Sequence, residues 1–174
     1  MSKERYDFVI VGAGIVGVSL AYWLARFGLK NILVIERESS AGAGNTSKAA
    51  GGIRAQFSSE INILLQKEAL NFFETFDRTF NAHSEFVQAG YLFVMTDEKW
   101  KKSFEKSIEI QRKYGLDVKS LSKEEVKKLS PFLRTDDIVY ATFHQRDGFA
   151  DTHGTVQGIY NRAKELGVEF RFGS

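Results

Sequence analysis

Three glycines and one acid carry the clearest chemistry in the chain. Gly12, Gly14 and Gly17 stand in the string Gly12-Ala13-Gly14-Ile15-Val16-Gly17, a GxGxxG spacing, and Glu36 follows nineteen positions after Gly17. In this pattern the first glycine permits a tight turn. The second lets a pyrophosphate approach the backbone, and the third lets a helix pack closely on a strand. A helix that starts here offers unpaired N–H groups and partial positive charge to phosphates. A carboxylate at the end of the next strand accepts hydrogen bonds from ribose hydroxyls and repels a 2′-phosphate, which argues against NADP. The string alone is a weak signal, so the elements around it decide what it means.

Those elements are in place. Residues 6–11 are a short apolar run ending in glycine, the pattern of a central parallel strand covered on both faces. From Ile15 the period turns helical, with Leu20, Ala21 and Leu24 on one side and Gly28 as the C-terminal stop. Residues 31–36 return to strand. Strand, helix and strand occupy about thirty residues, a normal βαβ unit. A typical NAD-binding domain then continues into another crossover helix and strand. Here the polar, glycine-rich stretch 39–52 intervenes, and its small side chains suit backbone lying against a flat ring, which points to FAD.

Further along, Ile61, Leu65, Ala69, Phe72, Phe76 and Phe80 recur at three- and four-residue steps and predict an amphipathic helix, with Ser58 or Ser59 as its cap. A strand is expected at 91–95, a helix at 97–114 stopped by Gly115, and a short helix opened by a Ser122/Glu125 capping box and ended before Pro131. A strand at 138–144, a helix at 152–166 capped by Gly167 and a strand at 168–172 complete the chain.

Composition narrows the class. The 174 residues are 43% hydrophobic and 26% charged, typical of a globular protein. A net charge of +2, from 24 basic and 22 acidic residues, gives no general attraction to nucleic acid. With no cysteine there is no disulfide, thiolate metal site or cysteinyl flavin link in this stretch, and a reducing cytoplasm is the expected compartment. His83, His144 and His153 lack metal-ligand spacing and are assigned no role, so no metal is expected. Residues 8–25 are uncharged over eighteen positions, but the glycines at 12, 14 and 17 divide the run into strand and helix, so neither a transmembrane segment nor export is expected.

The sequence resembles the D-amino-acid-oxidase-like (DAO) superfamily of FAD-dependent oxidoreductases, which includes glycine and sarcosine oxidases and proline dehydrogenases. The resemblance spans nearly the whole chain. It rests on the run from Asp7 to Gly17, on Glu36-Arg37, on Gly44-Asn45-Thr46-Ser47, and above all on Gly51-Gly52-Ile53-Arg54-Ala55-Gln56-Phe57. Gly90-Tyr91-Leu92 and Asp147-Gly148-Phe149-Ala150-Asp151 are lesser landmarks.

The resemblance implies an α/β fold: a Rossmann-like FAD-binding βαβ unit with the beginning of an α+β substrate domain, incomplete as it stands. Residues 1–88 would be the N-terminal part of the FAD-binding domain, 89–150 the start of the substrate domain, and 151–174 a helix and strand returning to the first. It further implies that Ile15, Val16, Arg37 and Asn45 join the cofactor contacts, that Thr46 and Ser47 lie near the pyrophosphate, and that Ala50, Gly51 and Gly52 pass close to the isoalloxazine edge. Arg54 would hold a substrate carboxylate by a bidentate contact, or serve instead in an ion pair or a flavin contact. No side chain reads as a general base. The implied activity is oxidation of an amine or amino acid by hydride transfer to flavin. The alternatives are a 2-hydroxy-acid or glycerol-phosphate dehydrogenase on the same scaffold, or a non-catalytic FAD-binding subunit. Relatives continue well past Ser174, so a truncated chain, one subunit completed by a complementary C-terminal chain, and a strand-exchanging homo-oligomer are all expectations. The electron acceptor is unassigned.

Overall fold

A computed structural model describes residues 5–174 and divides the chain into two compact units. The first comprises the residues up to Gly51 together with Thr75–Phe86 and Ala150–Ser174; the second comprises Gly52–Glu74 and Val87–Phe149.

The first unit is built on a parallel sheet. Strands β1 (Phe8–Val11) and β2 (Ile32–Glu36) pair in parallel with Phe8 opposite Ile32, and helix α1 (Ile15–Arg26) makes the crossover between them. This is the expected βαβ unit. Helix α5 (Thr152–Glu165) packs on α1 and delivers β8 (Glu169–Phe172), which pairs in parallel with the far side of β2, so the strand order is β1-β2-β8. Ile10, Ile32, Leu33, Val34, Val18 and Ala21 bury the interior of this layer. Gly28 and Gly167 follow the last turns of α1 and α5 with positive φ, as their sequence positions predict. Asp151 caps α5, its carboxylate accepting the N–H groups of His153 and Gly154.

One expectation is corrected here. Strand β1 is not covered on both faces: Ile10 is buried, but Val9 and Val11 are exposed, and β1 lies at the edge of the sheet among the described residues. A continuous apolar run cannot distinguish a strand with two covered faces from one with a single covered face.

The second unit centres on an antiparallel sheet of order β4-β6-β5, formed by β4 (Tyr91–Met95), β5 (Lys119–Leu121) and β6 (Tyr140–His144). Val126, Ile138 and Ala141 form a core cluster against Leu92, Leu121 and Leu133. A 3₁₀ turn at Glu98–Trp100 opens helix α3 (Lys101–Lys113) within the predicted 97–114 span, and Gly115 follows it with positive φ. Helix α4 (Lys123–Leu129) begins at the capping box, with both halves of the Ser122/Glu125 exchange present. A two-stranded ribbon, β3 (Gly52–Ile53) with β7 (Gly148–Phe149), completes the unit.

Helix α2 (Glu60–Phe80) is present, with Phe76 and Phe80 buried as expected, but its first turns bury Ile63 and Leu70 and leave Ile61 and Leu65 exposed. Two residues along a helix are about 200° of rotation, so 61 and 65 lie opposite 63. The Ser59 hydroxyl is buried without a hydrogen-bond partner among the described residues, so it does not cap this helix. No helix among the described residues is long and apolar enough to cross a membrane.

Strand β7 is set by Gly148, where an added Cβ would lie 1.9 Å from the Val87 carbonyl oxygen. Gly148→Ala is expected to lower stability by about 1–3 kcal/mol through this overlap, seen as an earlier midpoint in urea unfolding. An unchanged midpoint would show that the ribbon tolerates displacement.

Candidate functional site

In the first unit the glycine turn is shaped by backbone contacts. Gly12 has φ of 99°, and its N–H donates to the Ile35 carbonyl at 2.7 Å, tying the end of β1 to β2. A Cβ on Gly17 would lie 1.9 Å from the Gly12 carbonyl oxygen, so the helix start and the strand end approach to a distance that only glycine allows. Gly14 opens α1 without a side-chain cap, and the first turn holds no acidic residue. The helix therefore presents its N-terminal dipole without a carboxylate of its own in that turn, an arrangement suited to phosphate.

Thr46 stands at the same place. Its Oγ1 accepts the Ile15 N–H at 3.1 Å, and a Cβ on Gly14 would meet that oxygen at 3.3 Å. The surrounding loop is held by Gly42, whose N–H donates to the Ala13 carbonyl at 2.9 Å, and by Ser47, whose hydroxyl donates to the Gly44 carbonyl at 2.9 Å. Asn45 precedes the 3₁₀ turn Thr46–Lys48 and makes no side-chain cap bond to it. The loop through Gly42 and Thr46 is thus folded back onto the glycine turn.

Glu36 lies beside that turn. One carboxylate oxygen accepts the Ala13 N–H at 2.7 Å and the other accepts the Glu38 N–H at 2.9 Å. These bonds, that of Glu38 foremost, hold its pKa below the ordinary value. Two carboxylate oxygens have more lone pairs than the two they use here, so acceptors remain for ribose hydroxyls. Arg37 is highly exposed and pairs with its neighbour Glu38. Val16 and Ala50 are also exposed. Gly51 accepts the Ala150 N–H at 2.9 Å.

The second unit carries Gly52 and Arg54. Gly52 pairs with Phe149, and a Cβ there would meet the Tyr91 hydroxyl. The Arg54 guanidinium lies over three rings, 5.4 Å from Phe57, 5.6 Å from Phe93 and 6.0 Å from Tyr91. No carboxylate among the described residues pairs with it, so the ion-pair alternative finds no partner here. Cation–π contacts orient the guanidinium while leaving its N–H donors available.

Behind Arg54 is a buried polar network that the sequence reading did not find. Asp147 is fully buried and accepts three hydrogen bonds: from the Ala55 N–H at 2.9 Å, from Gln56 Nε2 at 3.2 Å, and from His144 Nδ1 at 2.6 Å. Gln56 also donates to the Tyr91 carbonyl and accepts from Thr142. The segment after Arg54 is therefore anchored at two successive residues. The spacing of His144 gives no sign of this role, and the only sequence signal for Asp147 is its place in the Asp147-Gly148 landmark. No cluster of acidic and histidine side chains suited to a metal occurs among the described residues.

Comparison with known proteins gives a consistent result. A model of the family described as FAD dependent oxidoreductase, DAO, matches residues 7–174. FAD-dependent oxidoreductase domain-containing protein 1 of Bos taurus is 30% identical over 181 residues, covering 98% of this chain and 37% of its own length. Sarcosine oxidase subunit beta of Rhodobacter capsulatus is 25% identical, with 96% of this chain and 41% of its own length covered. The crystal structure of L-proline dehydrogenase from P. horikoshii superposes with a TM-score of 0.90 at 32% identity, covering 99% of this chain and 45% of that one. The chain spans less than half the length of these proteins.

Gly17→Ala is expected to abolish FAD retention, read as loss of flavin absorbance in purified protein after incubation with FAD; a variant that keeps its flavin would show that the close approach is dispensable. Glu36→Gln tests the carboxylate through pH. Because the folded pKa lies below the unfolded one, the contribution of Glu36 is complete above the ordinary value of 4.5 and is lost as pH falls through the lower folded value. The stability gap between wild type and variant should be widest near neutral pH and close below that value. A gap independent of pH would remove the charge from the explanation.

Proposed function

We propose, from the premise that this chain belongs to the DAO family of FAD-dependent oxidoreductases, that it is part of an enzyme oxidising an amine or amino acid of the glycine, sarcosine or proline kind. The observation that carries the reading is Arg54, a cation without a carboxylate partner among the described residues, held over three aromatic rings and anchored from behind by the Asp147 network. Such a group takes a substrate carboxylate by a bidentate, charge-assisted contact. The names of relatives that act on sarcosine and proline support this choice.

In this reading the backbone of Gly12, Gly14, Ile15, Val16 and Gly17 receives the pyrophosphate at the start of α1, with Thr46 and Ser47 beside it. Glu36 takes the ribose hydroxyls. Arg37, Asn45, Ala50, Gly51 and Gly52 are assigned as further cofactor contacts. The first unit is the FAD-binding part and the second the start of the substrate domain. When bound, FAD supplies the acceptor for the two electrons withdrawn from the carbon next to the substrate nitrogen. The contribution of the protein is to hold the carboxylate and so fix which C–H bond is presented. The subunit beta description of one relative supports assembly with a further polypeptide.

The test is flavin uptake by the purified chain, followed by anaerobic reduction with glycine, sarcosine, proline and 2-hydroxy acids in turn. Reduction by an amine is the expected result. Reduction by hydroxy acids alone would overturn the amine reading, and failure to take up FAD would overturn the cofactor assignment for this chain. Arg54→Met should raise the apparent dissociation constant of the reducing amino acid roughly 10- to 150-fold, the equivalent of losing a charged hydrogen-bond pair of about 1.5–3 kcal/mol. An amine lacking a carboxylate should be unaffected by the substitution.

A further inference from the structure

Gln56 lies two residues after Arg54, and three hydrogen bonds converge on its side-chain amide. Nε2 donates to the Tyr91 carbonyl at 2.9 Å and to Asp147 Oδ2 at 3.2 Å, while Oε1 accepts the Thr142 hydroxyl at 2.8 Å. The reversed amide would set its oxygen against a carbonyl and a carboxylate, so these partners fix its orientation. The backbone bends sharply at the same residue. The Phe57 N–H donates to the Ala55 carbonyl at 2.8 Å, the three-residue pattern of a γ-turn. Gln56 is the middle of that bend, with Arg54 leading into it and Phe57 leaving it.

The strand register explains what these bonds hold. In the antiparallel pair β4–β6, Tyr91 stands opposite His144 and Phe93 opposite Thr142. Residues directly opposite, and those two apart along a strand, share one face of a sheet. Tyr91, Phe93, Thr142 and His144 therefore lie on one face. Two of them are rings that meet the Arg54 guanidinium, and the other two are polar groups that secure the chain beside it. Thr142 bonds Gln56 directly. His144 reaches it through Asp147, which accepts from His144 Nδ1 at 2.6 Å and from the Ala55 N–H at 2.9 Å. The third ring, Phe57, is on the bend itself. Gln56 thus sets the distance between the segment carrying Arg54 and Phe57 and the strand carrying Tyr91 and Phe93.

We propose that Gln56 is a positioning residue for Arg54: its amide ties the bend to β4 and β6 and so holds the guanidinium over its three rings before a carboxylate arrives. Without those bonds the bend is released from both strands, and each ligand that binds Arg54 has to order the side chain again. Thr142 belongs to the same device, because its hydroxyl is the donor to the amide oxygen. The effect on a carboxylate rests on the reading of Arg54 given above, and the experiment tells the two apart.

The probes are L-proline and pyrrolidine, which differ in the carboxylate, titrated into the 174-residue chain. Two quantities are read: the Arg54 side-chain proton shifts, displaced upfield by the rings beneath them, and the two dissociation constants. Gln56→Met, and Thr142→Val, which keeps the shape and removes the hydroxyl, should both lose the upfield displacement. Both should weaken L-proline roughly 2- to 10-fold, the cost of ordering one long side chain on binding, with no change for pyrrolidine. Thr142→Ser restores the hydroxyl and should restore both quantities. Thr142→Val decides the matter if Gln56→Met fails to fold. Arg54 shifts that keep their wild-type values in these variants, a Thr142→Ser protein that behaves like Thr142→Val, or L-proline bound through Arg54 with undiminished affinity in the variants would each overturn the proposal. Equal binding of L-proline to wild type and Arg54→Met would overturn the carboxylate reading instead, and the shifts would still decide whether Gln56 holds the guanidinium.

Discussion

The approach of the Gly12 carbonyl to the Cα of Gly17 is the constraint on which the first unit depends. No side chain fits at 17, because a Cβ would stand 1.9 Å from that oxygen. With hydrogen there, α1 starts directly against the end of β1, and its first N–H groups emerge beside the strand ends. The other contacts follow from that placement. Thr46 reaches the Ile15 N–H, Gly42 reaches the Ala13 carbonyl, and Glu36 reaches the Ala13 N–H. A loop, a helix start and a strand end are thereby fastened to one short turn, whose dipole and donors are arranged before any anion arrives.

The second unit solves a different problem, that of holding an exposed cation in place. A guanidinium on a long stem loses considerable rotamer freedom when it is fixed. Part of that cost is offset by the rings of Phe57, Tyr91 and Phe93, each cation–π contact contributing about 0.5–1 kcal/mol at an exposed site. The backbone beneath is fixed by Asp147. A buried carboxylate is tolerated only when its oxygens are satisfied, and here three donors converge on it. Two of the three come from Ala55 and Gln56, the residues directly after Arg54. The buried charge therefore acts on the position of Arg54 through the chain, without touching it.

Much of this was legible in the sequence, and the parts that were not have physical reasons. The βαβ unit was legible because its signals agree: an apolar run, three glycines at fixed offsets, a helical period and an acid at the next strand end. The capping box at Ser122 was equally plain, since it is a local exchange between residues three apart. Strands β3 and β7 escaped because two residues containing glycine show no alternation, and β5 because Lys119 and Ser120 are exposed on a short edge strand. The inward face of α2 was misjudged because apolar residues occur on both sides of its first turns. His144 and Asp147 are separated by three positions, but Gln56 and Ala55 lie about ninety residues away, and only the fold joins them.

Where a flavin accepts the electrons, the protein is left with orientation, exclusion of competing reactions and electrostatic tuning. In the proposed reading, backbone donors, small residues and the Arg54 guanidinium serve the first of these. That explains why the informative residues here are mostly glycines, and why their meaning depends on close approach rather than on side-chain reactivity. In the proposed reading, Arg54 is the residue whose environment bears on the choice of substrate. A guanidinium held by rings and without a carboxylate partner among the described residues gains most from an anion that its fork can take in a bidentate contact, which a lone hydroxyl does not offer.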